Sequence, residues 1–491
     1  MRSTESTGRA SGRTGVRMSG TVGRAGRGGA VLGVWLALAG MVCGTGTAFA
    51  PTASASVTGP ADGGSRAYDV ADYDVKVDYE PGSARLRGDT EVVAEATEDL
   101  PEFGMDLALT ARSVEIDGSP AKSVTRSDDG GITVVPRETI EKGSEFRVRV
   151  RYDGYPGKDN PSWVESEDGS VVTVLTPVGT WFPGNDDPED KAGFRLAATV
   201  PDGWTAVSSG REEPARQRGD RSTFRWRSTE PLPADAAILG VGKWDVERTV
   251  LGDGTPLTTV YSAGRKDEFE KYAGRQEEIM EFLAGKFGAY PYDTLVSFFL
   301  DSVDDTAPNF AGQGAVIFPN AESEKYFDSS VVAHELTHQW YGRLVEEGES
   351  RDLCLSECFA TYAQWMWSEF SEGQDLDAKY RREIEKRKDD EEFWRGKLSE
   401  GEGVYGRGPF MVHALRRQIG DAAFEKVLKQ WPARFAGKAP EWSAMEKLVQ
   451  QVSGQDLEGF FHAWARSEGV PEDTYLWPGS LRPGEKAARH G

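Results

Sequence analysis

Histidine and cysteine are scarce in this 491-residue chain, which has five of the first and three of the second. So few cysteines exclude a disulfide framework, and the fold must rest on apolar burial. Positive charge is also in deficit: 57 Lys+Arg stand against 80 Asp+Glu, a net charge of −23. Such an acidic surface argues against nucleic-acid partners and suits a soluble monomer. Long hydrophobic runs are missing as well. The apolar stretch Ala30 to Val42 is too short for a membrane span of about 20 residues.

That stretch reads instead as the centre of an export signal. Arginines from Arg2 to Arg27 precede it, and small-residue sites follow at Ala48-Phe49-Ala50 and Ala53-Ser54-Ala55. Pro51 disfavours the first, so cleavage is expected near Ala55, giving a signal over 1–55 and a secreted protein. Met41 and Val42 suit lipid attachment at Cys43 poorly, so no lasting membrane association is expected. Removing the signal takes a net +5 with it and leaves −28. Cys354 and Cys358 then remain, four apart on what reads as one helix, where they are expected to be buried thiols.

Residues 56–65 form a Pro/Ala/Ser/Gly-rich linker. Over 66–260 short alternating runs, such as YDVKVDYE and EFRVRVRYD, punctuated by Asp-Gly turns, predict an antiparallel β domain. Over 261–477 helical periodicity takes over, interrupted by the strand-like LVSFFL at 295–300. The fold class is therefore α+β. The tail 478–491 is polar, basic and expected to be disordered.

Two of the five histidines stand in HELTH, at His334 and His338. On a helix, i,i+4 spacing puts both imidazoles on one face, within reach of one metal ion. Glu335 beside them can act as a general base toward a water activated by that metal. Glu357 follows His338 after eighteen intervening residues and offers a third ligand. Two His and one Glu with an open position make the thermolysin-type zinc site, one Zn²⁺ per chain. The oxyanion of a tetrahedral intermediate needs a donor. Tyr405, in GVYGRGPF, is a candidate that composition alone cannot separate from the other tyrosines.

HELTHQWYG with Glu357 in DLCLSECFATY resembles the gluzincin aminopeptidases, the family of alanyl aminopeptidase and leukotriene-A4 hydrolase. WFPGNDDPEDKAGF (181–194) and VYGRGPFMVHALRRQIGDAAF (404–424) resemble further family segments. The resemblance implies a saddle-like N-terminal β domain, a thermolysin-like catalytic domain, peptide substrates and Tyr405 as oxyanion donor. Relatives often carry a further C-terminal helical domain, so a more open cleft accepting longer peptides is expected here.

Two departures matter. The family holds the substrate's free amine with an acid in G-x-M-E-N; here the stretch is NFAGQGAVIFPN, with Ala311 at the acid's place. Gly312, Gln313 and Gly314 complete a candidate substrate-binding edge, and Thr176 stands where a second acid is expected. Asp304, Asp305, Glu322 and Glu324 are possible substitutes. Cys354 and Cys358 also replace family residues around Glu357, with Cys354 expected near the metal-facing side. The expected function is a zinc aminopeptidase. Alternatives are an endopeptidase or hydrolase of N-blocked peptides, a non-catalytic peptide-binding protein and, lower, a non-peptide hydrolase such as an epoxide opener.

Overall fold

A computed structural model of the chain describes residues 67–482, apart from short stretches at 128–129, 158–159, 161, 175–177, 188, 304–306, 322–326, 396–397 and 399–401. The export signal, the linker, Thr176, Asp304, Asp305, Glu322 and Glu324 lie outside the described residues.

The N-terminal part is built on a sheet centred on Tyr68–Glu80, Arg85–Ala96, Glu145–Gly154 and Lys191–Pro201. Its pairings are antiparallel except that between Tyr68–Glu80 and Lys191–Pro201. Alternation drives the layering. In the first strand Tyr73, Val75, Val77 and Tyr79 are buried, while Asp72, Asp74 and Lys76 between them are more exposed. Gly88 is required by a close approach: a Cβ there would lie 1.9 Å from the Tyr152 ring.

A second sheet runs in the order Asp245–Val250, Pro256–Tyr261, Leu295–Phe299, Ala315–Phe318, Phe310–Gly312. The first two strands precede residue 261, yet they pair with this sheet rather than the first. Leu295–Phe299 is buried throughout. Val296 and Phe298 belong to the core of the β part, and Leu295 and Phe299 to the core under the helices. Burial on both faces explains why this strand reads as a continuous apolar run. Phe310–Gly312 lies at the sheet's edge, and that edge borders the site.

The helices mostly follow the predicted periodicity, with shifted ends. The helical stretch before the strand Leu295–Phe299 is split into Lys266–Ala273 and Gln276–Phe287. The first residues of the tail differ from expectation, and 483–491 lie outside the described residues. Residues 478–482 are docked: Leu481 is fully buried, Arg381 donates to its carbonyl, and Ser480 donates to Asp377 at 2.6 Å. A buried apolar anchor outweighs the polar composition around it.

Candidate metal centre and cleft

The motif helix is Ser329–Thr337. Its cap is Asp328, with Oδ1 accepting from Ser330 N–H at 2.7 Å. The helix is buried on nearly all sides and stops at His338, so the second ligand sits at its C-cap. The chain then turns back. Gln339 holds the hairpin that closes the edge strand: Oε1 accepts from Gly314 N–H at 2.9 Å, and Nε2 donates to Gly312 C=O at 3.0 Å.

Glu357 opens the next helix, Glu357–Glu372. A carboxylate in a helix's first turn faces the positive end of the dipole. The preceding residues Ser350–Leu355 form a 3-10 helix, and Ser356 breaks it from the ligand helix. This break corrects the expectation of two free thiols on one helix. It brings the Cα atoms of Cys354 and Cys358 to 4.7 Å, and the two form a disulfide that brackets Glu357.

His334, His338 and Glu357 offer ligand atoms that all lie within 4.8 Å of one another, and all three residues are buried. Glu357 Oε2 is 3.3 Å from His334 Nε2 and 3.6 Å from His338 Nε2. That oxygen is buried without a well-formed hydrogen bond, a costly state unless a cation completes the site. His338 Nδ1 lies 3.0 Å from the Tyr341 carbonyl, which can only accept. The proton therefore sits on Nδ1, leaving the Nε2 lone pair for a metal. Gln364 hydrogen-bonds to His334 and plays the matching part there. This donor set and its supports fit zinc.

The electrostatics agree. Burial pushes Glu357 upward, but the attraction of His338 and His334 and a hydrogen bond from Tyr405 hold it below its ordinary value. Burial drives His338 down to about 4, so its ring is neutral and ready to ligate at neutral pH. Glu335, on the same helix, is 1% exposed.

Tyr405 is placed by its neighbours in sequence. Gly408 packs on the disulfide, where a Cβ would meet Cys358 Sγ at 2.3 Å. Arg407 is 1% exposed and surrounded by carbonyls: it donates to Trp394 O at 2.9 Å, Ser467 O at 3.2 Å and Trp464 O. The Trp464 carbonyl comes from a π-helical turn over His462–Arg466. Such turns recur at functional sites.

Of the four candidate substrate-binding residues, Ala311 and Gly312 lie on the edge strand, and Gln313 and Gly314 form its turn. Gln313 donates to Pro231 O at 3.0 Å. Ala311 C=O accepts from Arg343 Nε at 2.6 Å. Sequence reasoning missed Gln364, Arg407 and Arg343. Gln364 could have been found, since it lies seven residues after Glu357 and so on the same helix face. The other two carry no local signal.

These features define a two-domain protein with a metal site of the thermolysin class. Residues 275–464 match the model of the peptidase family M1 domain. Together with the relatives below, this match supports the gluzincin aminopeptidase family for the chain. It is 22% identical to aminopeptidase M1-C of Oryza sativa subsp. japonica, over 81% of this chain and 49% of that protein. Aminopeptidase N of Lactococcus lactis subsp. lactis is 24% identical, over 59% of this chain and 38% of that one. The chain thus spans half or less of the length of these curated relatives. The crystal structure of the M1 zinc metallopeptidase from Deinococcus radiodurans superposes with a TM-score of 0.73 at 26% identity, covering 87% of this chain and all of that one. A variant of that enzyme bound to a Tyr-Ser-Ala substrate gives 0.71, at 84% and 97% coverage.

Proposed function

We infer that this protein is a secreted zinc metallopeptidase that removes residues from peptide N-termini. The observation that carries the reading is the convergence of His334, His338 and Glu357 on one buried point, with Glu335 on the same helix and Tyr405 hydrogen-bonded to Glu357. Relatives named as aminopeptidases support it, as does the tripeptide bound by the Deinococcus enzyme. His334, His338 and Glu357 would hold the zinc, which would supply a Lewis acid for the scissile carbonyl and for the attacking water. Glu335 takes the proton of that water and delivers it to the leaving nitrogen. Tyr405 donates to the oxyanion. His338 and His334 are kept in orientation by Tyr341 C=O and Gln364.

Secretion is supported by the N-terminal sequence pattern and by the Cys354–Cys358 disulfide, a bond that persists in oxidising compartments. Among the described residues no helix is long and apolar enough to cross a membrane. We take the protein to act as a monomer.

One observation favours the reading that N-blocked peptides are also cleaved: Ala311 supplies no carboxylate, and the group bonded to its carbonyl is cationic Arg343. The test is one peptide, free and N-acetylated, followed by mass spectrometry with Glu335→Gln protein as blank. Loss of single N-terminal residues from the free form alone supports the aminopeptidase. Cleavage of both supports the second reading, and cleavage of neither overturns the peptidase.

A further inference from the structure

We propose that Arg343, with the Tyr292 hydroxyl as second donor, receives a carboxylate of the bound substrate at the end of the edge strand Phe310–Gly312. The inference rests on the peptidase reading and names the substrate class it implies.

The hairpin geometry comes first. Gln313 and Gly314 form a two-residue turn closed by the pair Gly312 and Ala315. Ala311 and Val316 are then a pair whose backbone groups point outward, away from each other. An extended peptide lying along this edge would use such groups. At Ala311 the outward carbonyl is already taken by Arg343 Nε, at 2.6 Å. The strand's free edge therefore ends on a guanidinium.

That guanidinium is fixed but unspent. It lies over the Phe310 ring at 5.2 Å, and its backbone N–H donates to the carbonyl of His338, a metal ligand, at 3.0 Å. Among the described residues its two Nη groups make no hydrogen bond and no ion pair within 4 Å. The acids within its electrostatic reach are engaged elsewhere. Glu346 pairs with Lys191 at 2.8 Å, and Glu347 bonds to Ser356. Glu346 also feels Asp235.

Tyr292 supplies the independent observation. Among the described residues its hydroxyl is buried with no hydrogen-bond partner, and it lies within electrostatic reach of both Arg343 and Glu346. Burying an unsatisfied hydroxyl is costly, which favours a ligand acceptor completing it. A guanidinium with two open Nη groups and one phenolic donor matches a carboxylate and repels an ammonium. The carboxylate can come from an acidic N-terminal side chain, an acidic N-terminal block or a peptide C-terminus.

Three matched peptide pairs separate these sources: N-terminal Glu against Gln, N-succinyl against N-acetyl, and free C-terminus against carboxamide. Affinity is measured by calorimetry on zinc-loaded Glu335→Gln protein, which needs no turnover, and kcat/KM on the unmodified chain. One pair should prefer the carboxylate by about 10- to 100-fold. Arg343→Met should bring that ratio near unity, and Tyr292→Phe should lower it partway. Arg343→Lys, which keeps the charge, serves if the Met variant does not fold and should retain only part of the preference. Equal affinity in all three pairs overturns the proposal, and so does a preference that survives Arg343→Met. A carboxylate preference in binding without any turnover leaves the anion site standing and removes the peptidase reading.

Discussion

On the metal side of the cleft, the groups that support the site are paired: His338 has the Tyr341 carbonyl, His334 has Gln364, and the Arg407 Nη groups have carbonyls, while the Glu357 oxygen left over is the one a metal would take. Across from it, the edge strand and the β-domain segments beside it are under-compensated. Among the described residues, Tyr292 Oη and Asp235 Oδ1 are buried without partners and the Arg343 Nη groups are open; elsewhere in the β domain, Asp190 is buried with hydrogen bonds but no cation. The first wall is pre-organised for one fixed chemistry, where satisfied polar networks hold reacting groups in place. The second keeps donors in reserve, as a surface completed by its ligand does. On this contrast, changes on the metal wall should act on rate and metal, and changes on the other wall on selectivity and pH response.

The largest effect is expected at Glu335. Glu335→Gln should lower kcat by about 10²–10⁴-fold, the usual worth of a general base, with zinc content unchanged by elemental analysis. Substantial turnover in that variant would place the proton transfer elsewhere. Tyr405→Phe comes next, with about 10²–10³-fold expected in kcat and little change in KM, because the donor acts on charge that develops only in the transition state. An effect confined to KM would make Tyr405 a substrate contact instead.

Gln364→Leu probes whether the metal wall's pairing does what the contrast assigns to it. The His334 ring would lose its partner, and zinc affinity should weaken by about 10–100-fold in competition with a chelator. Unchanged affinity would reduce Gln364 to packing.

Much of the metal wall was legible in the sequence because its chemistry is periodic. His334 and His338 are one turn apart, and the strand alternation of 66–260 reports directly which face is buried. What was not legible depends on breaks and returns of the chain. The Cys354–Cys358 bridge exists because Ser356 interrupts a segment that reads as continuous helix. Asp328 caps the motif helix although Ser329 and Ser330 are equally good capping types, a choice made by backbone geometry. Arg343 and Arg407 look like surface charges in sequence. Only the fold brings a strand edge to one and four backbone carbonyls to the other.

The smallest prediction concerns Asp190 and sharpens the contrast through pH. Its carboxylate accepts from Val70 N–H at 3.0 Å and Asn185 Nδ2 at 2.6 Å, but burial pushes it up to about 6. The folded state then binds a proton more tightly than the unfolded chain, whose aspartate titrates near 3.9. Stability from this group is fully present below about pH 4 and is lost as pH rises through about 6. Asp377, in the helical part, has the opposite sign. His413, Ser480 and Arg417 outweigh its burial and hold it well below the ordinary range, so its contribution is present at neutral pH and is lost only in stronger acid. Between pH 7 and 5 only Asp190 of the two should act, adding on the order of 1 kcal/mol on acidification after allowance for solvent screening. Denaturant melts of the unmodified chain and of Asp190→Asn at both pH values measure this, and the variant should lose that part of the gain. An equal gain in both proteins would assign the slope to another group.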